Sequence, residues 1–91
     1  MKNLFALTIL RIINLQFESQ IGRNPDMISL INSNGNKIYV ERKEESISIS
    51  VYRVLQINTK RRLLINLTDE SQIEDAVIKI KEKVKCVDNT L

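Results

Sequence analysis

The sequence predicts an α+β fold in which four or five mainly antiparallel strands form a sheet and a C-terminal helix packs on one face of it. Large apolar residues fall on every second position in Ile47–Val51 and again in Leu63–Leu67. This period is typical of strands with one buried face. The segment Asp69–Lys85 instead has helical spacing. A small curled barrel capped by the helix is the alternative arrangement of the same elements.

The N-terminal part of the chain divides into two patterns. The apolar run Leu4–Ile12 is too continuous to show one period, so it fits either a buried helix or a strand covered on both faces. From Ile13 to Ile21 apolar and polar residues alternate, with Ser19 on the apolar side. This alternation predicts a long strand with one polar face.

A β-hairpin is predicted around Asn34-Gly35. The two flanking runs, Met27–Asn32 and Lys37–Arg42, have strand character, and Asn-Gly is a strong hairpin signal because both residues tolerate positive φ. Alternation in the second run gives an inner face with Ile38 and Val40 and an outer face with Lys37, Tyr39 and Glu41.

The strand that begins at Ile47 could extend to Asn58, which is long for a strand. Its parity places Arg53 on the apolar face, where an unpaired charge would not be buried. Either Arg53 lies at the rim of the sheet or a bulge near Tyr52 rotates it outward.

The C-terminal helix is expected to begin at about Asp69 with Thr68 as its N-cap and to end near Lys85. Ile78 lies outside its apolar stripe, so this side chain either touches the edge of the sheet or is exposed for a partner. The stripe consists of Ile73, Ala76, Val77, Ile80 and Val84.

Composition and charge narrow the possible functions. The 91 residues fit one small domain, residues 1–91, with a net charge of +3 and few aromatic residues. Single-strand nucleic-acid binders normally use aromatic stacking platforms, which argues against that class. The one cysteine, Cys86, cannot form an internal disulfide, so we expect a reducing compartment, the cytoplasm.

Membrane insertion and secretion are both disfavoured by the N-terminal sequence. The apolar run after Met1-Lys2 is stopped by Arg11, whereas a spanning helix needs about 20 apolar residues. The same run imitates the start of a signal peptide, but no small-residue cleavage site follows it.

Catalytic, metal and cofactor signatures are also weak. The chain has no histidine, which removes the usual general base and the commonest metal ligand. Cys86 has no CxxC partner, and the acidic residues of Asp69–Asp75 fit the first turns of a helix without any ion. The two glycines form no phosphate-binding motif. We therefore expect no enzyme activity, no metal and no cofactor.

The densest positive charge, Lys60, Arg61 and Arg62, falls between the two alternating segments. Two adjacent arginines offer the fork geometry that suits phosphate oxygens. The other interpretation is a solubilising turn filled with long charged residues. A phosphate-binding role for these three residues, toward nucleic acid or an anionic membrane, is therefore the alternative function.

The main expectation is a small binding or assembly module that acts through protein–protein contacts. A second copy is the simplest partner, because a small domain with surplus apolar residues and an uncovered strand edge would otherwise expose an adhesive surface. We expect a two-fold homodimer that uses the N-terminal segment. The expected interface residues are Leu4, Phe5, Leu7, Ile9 and Ile78.

Overall fold

A computed structural model describes residues 2–20, 22, 24–33, 35–53 and 63–89. The predicted α+β class with a C-terminal helix is confirmed. In chain order the elements are α1 (Lys2–Ile13), β1 (Glu18–Gln20), β2 (Met27–Ile31), β3 (Asn36–Arg42), β4 (Ile47–Arg53), β5 (Leu63–Leu67), a single 3₁₀ turn (Glu70–Gln72) and α2 (Ile73–Asn89).

The five strands form one antiparallel sheet in the order β1-β2-β3-β4-β5. The sheet is open, so the alternative prediction of a curled barrel is wrong. The two outermost strands lie at opposite ends of the strand order, and two helices cover the inner face that a barrel would have enclosed.

The core lies between the inner face of the sheet and the two helices. The register places apolar residues opposite one another on this face, as in the row Val40, Ile49 and Ile65. Helix α1 contacts β3 and α2, while α2 contacts β4 and β5. The buried apolar residues are Leu4, Ile12, Phe17, Leu30, Ile38, Val40, Ile47, Ile49, Val51, Ile65, Leu67, Ile73, Ala76, Val77 and Ile80.

The N-terminal segment is a helix, which is one of the two alternatives that the continuous apolar run left open. The predicted long strand from Ile13 to Ile21 is wrong. Ile13 is the last residue of α1, and Gln16 then takes φ 69°, a left-handed conformation that ends the helix and reverses the chain. Only Glu18–Gln20 pairs as a strand, and all three of its residues are exposed.

The predicted hairpin joins β2 and β3. Gly35 has φ 84°, the positive value expected at this turn, while Asn34 lies outside the described residues. The backbone N–H of Asn32 donates to the Asn36 carbonyl at 3.1 Å and closes the turn. As predicted, Ile38 and Val40 are buried on the inner face.

The pairing of β3 with β4 continues without a break to the end of β4, so the bulge near Tyr52, one of the two alternatives given for Arg53, is absent from this ladder. Tyr52 pairs with Lys37, and Arg53 pairs with Asn36. Arg53 thus belongs to the last pair of the ladder. The predicted continuation of the strand to Asn58 lies outside the described residues.

The helical segment begins one residue later than predicted, because Asp69 and not Thr68 is the N-cap of the 3₁₀ turn at Glu70, and α2 itself follows from Ile73. The side-chain amide oxygen Oε1 of Gln72 accepts from the backbone N–H groups of Thr68 at 2.7 Å and Asp69 at 3.2 Å. One side chain thus satisfies two amide donors at the helix start. The predicted apolar stripe is confirmed, with Val84 half-buried.

Because Val77 and Ile80 are buried against the sheet, truncating either side chain should leave a cavity. We expect Val77→Ala or Ile80→Ala to lower the free energy of unfolding by about 1 to 4 kcal/mol. Denaturant melts measure this loss. Leu10→Ala is the matched control, since the Leu10 side chain is 57% exposed on α1 and its truncation should change stability by about 0.5 kcal/mol or less. Equal effects of all three changes would contradict the packing described here.

The two helices are also joined at the surface, where the Arg11 guanidinium donates to Glu74 Oε1. This hydrogen bond lowers the pKa of the Glu74 carboxyl below its ordinary value. A carboxyl whose pKa is lower in the folded state adds stability at pH values above its unfolded pKa, and the stability is lost as the pH falls through the folded pKa.

Glu74→Gln should therefore destabilise the protein at neutral pH, and the difference from the natural chain should shrink as the pH is lowered below about 4. Unfolding measured at several pH values tests this. Arg11→Gln should remove the same pH dependence, and the double variant should lose little more than either single variant. A difference between Glu74→Gln and the natural protein that persists at acid pH would contradict the ion pair.

Candidate functional site

The strand β5 is an edge of the sheet. In the part of the chain that the structure describes, it pairs with β4 on one side and with no strand on the other. Unpaired N–H and C=O groups on such an edge are a template for another strand. At five residues β5 is longer than the opposite edge strand, β1, which has three.

Beside this strand lies a groove of about 450 Å³ between β5 and α2, here called the edge groove. Ile65 and Leu67 form its floor, and Ile78 on α2 lies at its rim with 51% of its surface exposed. Ile78 thus lies beside the sheet edge and is also exposed, while its use by a partner stays a prediction. The remaining lining residues are Asn66, Ser71, Gln72, Glu74, Asp75, Ala76 and Lys79.

Leu64 adds a second exposed apolar side chain to this edge. It lies on the outer face of β5, and 65% of its surface is exposed. An isolated exposed leucine is ordinary on a protein surface. Here it accompanies an unpaired strand edge and the exposed Ile78, a combination that natural proteins usually cover.

One ion pair of the edge groove, Asp75 with Lys79, is loosely held. Lys79 Nζ lies 4.0 Å from Asp75 Oδ2, and more than half of each side chain is exposed. Such surface pairs contribute about 0 to 1 kcal/mol. Both charges could therefore turn to a partner at little cost in stability.

The outer face of the sheet carries a second feature, a pair formed by Tyr39 and Tyr52 on neighbouring central strands. Their ring centroids are 5.6 Å apart with the planes tilted by 35°, and Lys37 Nζ lies 5.0 Å from the centroid of Tyr39. Hydrogen bonding from Tyr52, followed by hydrogen bonding from Lys37, lowers the pKa of the Tyr39 phenol.

Ser48 and Ser50 flank the tyrosine pair and are half-buried. Tyrosine and serine together are common on protein-binding surfaces, because they combine rigid contact area with adaptable hydrogen bonding. Lys37 and the two phenols already interact with one another, however. The outer face therefore offers a partner fewer available hydrogen-bonding groups than the β5 edge does.

The residues that the sequence predicted for an interface are separated by the fold. Leu4 is 7% exposed and belongs to the core, while Phe5, Leu7 and Ile9 are half-buried and pack against it. The Arg42 guanidinium lies 5.2 Å from the ring centroid of Phe5. Of the predicted set, Ile78 is the one that adjoins an unpaired strand. The homodimer itself stays a prediction.

The phosphate-binding candidates Lys60, Arg61 and Arg62 lie outside the described residues, so their role stays a prediction. Within the described ranges, no cluster of three or more acidic or cysteine side chains could hold a metal ion. No helix among these residues is both long enough and apolar enough to cross a membrane.

Comparison with known proteins adds no identification: no protein-family model, no curated protein and no solved structure matches the chain. The candidate site at the β5 edge is therefore supported by its geometry alone. The sequence analysis did not predict Leu64 as a site residue, although the alternation in β5 already placed it on the face opposite to Ile65. The sequence pattern does not reveal the strand order, in which β5 has no second neighbouring strand among the described residues.

The tyrosine pair makes a spectroscopic prediction. The chain has two tyrosines and no tryptophan, so each ring can be followed separately by NMR as the pH rises. Tyr52→Phe removes the main hydrogen bond that lowers the Tyr39 pKa, and we expect that pKa to rise toward the ordinary value of about 10. Ser48→Ala on the same face is the control and should leave the Tyr39 pKa unchanged. An unchanged Tyr39 titration in Tyr52→Phe would rule out the hydrogen bond as the cause.

Proposed function

We propose that this protein is a small non-catalytic binding or assembly module that acts through protein–protein contacts at the edge groove. The observation that carries the proposal is the five-residue edge strand β5 with exposed apolar side chains on both sides of it, Leu64 and Ile78. A segment of a partner would add to the sheet as a sixth strand, with main-chain hydrogen bonds supplying affinity.

Side-chain positions on β5 support strand addition over a loose apolar contact. Ile65 and Leu67 are turned toward the core, so an added strand with the same alternation would extend the inner face under α2. A shift of one residue in register would turn the apolar side chains of that added strand to the outer face. The edge therefore disfavours every register that is shifted by an odd number of residues.

The proposal includes a second copy as the simplest partner and the cytoplasm as the location. The exposed edge supports the homodimer, because a copy of the same chain is always present to cover it. The location follows from the single cysteine and the lack of any internal disulfide that it implies.

The size of the complex in extract of the native host tests this function. Leu64→Lys places a charge on the edge strand, the device by which natural edges prevent pairing. We expect the natural protein to migrate in a complex larger than one chain and the variant to migrate as a single chain. Replacing Lys60, Arg61 and Arg62 together by Gln is the control, and it should leave the complex intact.

The control also separates the two function classes. If the triple Gln variant loses the complex while Leu64→Lys keeps it, the anion-binding alternative is supported and the edge-groove proposal is wrong. A natural protein that migrates as a single chain in extract would likewise contradict the proposal.

A further inference from the structure

Helix α1 exposes apolar side chains where a surface helix normally exposes polar ones. Its buried side consists of Leu4, Thr8 and Ile12, which follow one another at the spacing of about one helical turn. The opposite side, here called the outer stripe, consists of Ala6, Leu10 and Ile13, and all three are exposed. Because these residues are four and three positions apart, they form one continuous row on the helix surface.

The other helix shows that this exposure is a property of α1 and not of the fold. The exposed side of α2 is charged, as expected of a helix with one face on a core. Its exposed charged residues are Glu74, Asp75, Lys79, Lys81 and Glu82. Between Asn3 and Leu10 the sequence of α1 has no charged residue. An exposed apolar surface of this kind indicates a binding site for a protein or a membrane.

The charges that α1 itself carries are positive. Lys2 and Arg11 lie near the two ends of the helix, which has no acidic residue. Lys2 comes one turn before Ala6, so it extends the row of the outer stripe. A further cation approaches α1 from β3, where the Arg42 guanidinium lies 5.2 Å from the ring centroid of Phe5. Positive charge at the borders of an apolar helix face complements a surface of anionic headgroups.

Both arginines already have a carboxylate partner, Glu74 for Arg11 and Asp26 for Arg42. All four of these side chains are partly exposed. Exposed ion pairs are weak, so a lipid phosphate can replace the carboxylate as the acceptor. The two ion pairs therefore reduce the attraction to an anionic surface without removing it.

A bilayer surface fits the outer stripe better than a partner helix does. Paired helices usually select each other through charges beside the apolar contact. The residues beside the outer stripe include Ile9 and Asn14, which are uncharged. A bilayer surface needs only apolar side chains and cations, without a contact of matching shape. The cytoplasmic leaflet is anionic, so this occupant also agrees with the proposed location.

We infer that α1 docks on an anionic lipid surface, with the outer stripe inserted among the headgroups and the helix axis parallel to the membrane plane. The contact lies at the surface of the bilayer and does not cross it. This inference goes beyond the proposed function, because it assigns a second surface and a second kind of partner to the same chain.

Flotation of the purified full chain with lipid vesicles tests the inference. The vesicles contain phosphatidylcholine alone, or phosphatidylcholine and phosphatidylglycerol in equal parts. We expect binding to the anionic vesicles that weakens as salt is added, and weaker binding to the neutral ones. A chain that does not float with anionic vesicles at low salt would overturn the inference. That result would leave the complex at the edge groove untouched, so the proposed function would stand.

The substitution Leu10→Gln removes apolar surface from the outer stripe without changing the charge. We expect it to lower the partition coefficient onto anionic vesicles about fivefold or more. Leu64→Gln is the matched control, because Leu10 is 57% exposed and Leu64 65% exposed, but Leu64 lies on β5. The control should bind vesicles like the natural protein, and circular dichroism shows whether both variants are folded. Equal losses in the two variants would contradict a contact through α1.

The basic turn is the other possible lipid contact in this chain. Replacing Lys60, Arg61 and Arg62 together by Gln separates the two contacts. If this triple variant loses vesicle binding while Leu10→Gln keeps it, the lipid is bound at the turn and the inference is overturned.

A tryptophan probe locates the contact, because the chain has no tryptophan of its own. The emission of Leu10→Trp should shift to shorter wavelength when anionic vesicles are added, whereas the emission of Leu64→Trp should stay unchanged. The absence of a shift at position 10 on vesicles that the chain binds would overturn the inference. A shift that appears with rising protein concentration alone, without lipid, would show a second copy on the outer stripe and would overturn it as well.

Discussion

Burial of the inner face of the sheet is the constraint on which the rest of the structure depends. Five strands present one apolar face, and it is covered by α1 over β3 and by α2 over β4 and β5. The two helices also contact each other. Hydrophobic burial is the main favourable term for a chain of this size, so neither helix is an optional addition to the sheet. Even the buried Thr8 fits this requirement, because its hydroxyl donates to the Leu4 carbonyl at 2.7 Å within the helix.

One-sided coverage determines where the chain can meet other molecules. The outer face is carried mainly by polar and amphipathic side chains such as Tyr39 and Tyr52, with Met27, Ile31 and Leu64 as apolar members. That face meets water without a covering layer, as antiparallel sheets commonly do. Two of the exposed apolar side chains, Leu64 and Ile78, lie where α2 ends its cover and β5 pairs with no further strand among the described residues.

Local pattern in the sequence was enough for the elements whose period is repeated several times. The alternation in β3 and β4 and the stripe of α2 gave correct faces because each residue follows from its neighbours two or four positions away. The same reasoning failed at Ile13, Leu15 and Phe17. These residues alternate, but the alternation arises from a helix end followed by a tight turn at Gln16. A left-handed residue other than glycine gives no signal in the pattern.

The candidate site was harder to predict than the fold because it depends on relations between distant segments. Leu4 and Phe5 looked like surplus apolar surface, yet the sheet formed by later residues buries the first and half-buries the second. Ile78 could be identified from its angle on the helix alone. The adjacent strand edge could not be identified in this way. The order of strands in a sheet depends on tertiary packing and cannot be read from the alternation within a single strand.

The unequal lengths of the two sheet edges have a consequence for how large an assembly can become. If both edges accepted a strand equally well, each bound copy would expose a fresh edge, and the sheet could grow without end into a fibre. β1 contributes three exposed residues, whereas β5 contributes five. Very short edge strands are a known means of preventing further pairing. Joining at β5 would leave β1 as both outer borders, so association through this protein's sheet would stop at a finite size.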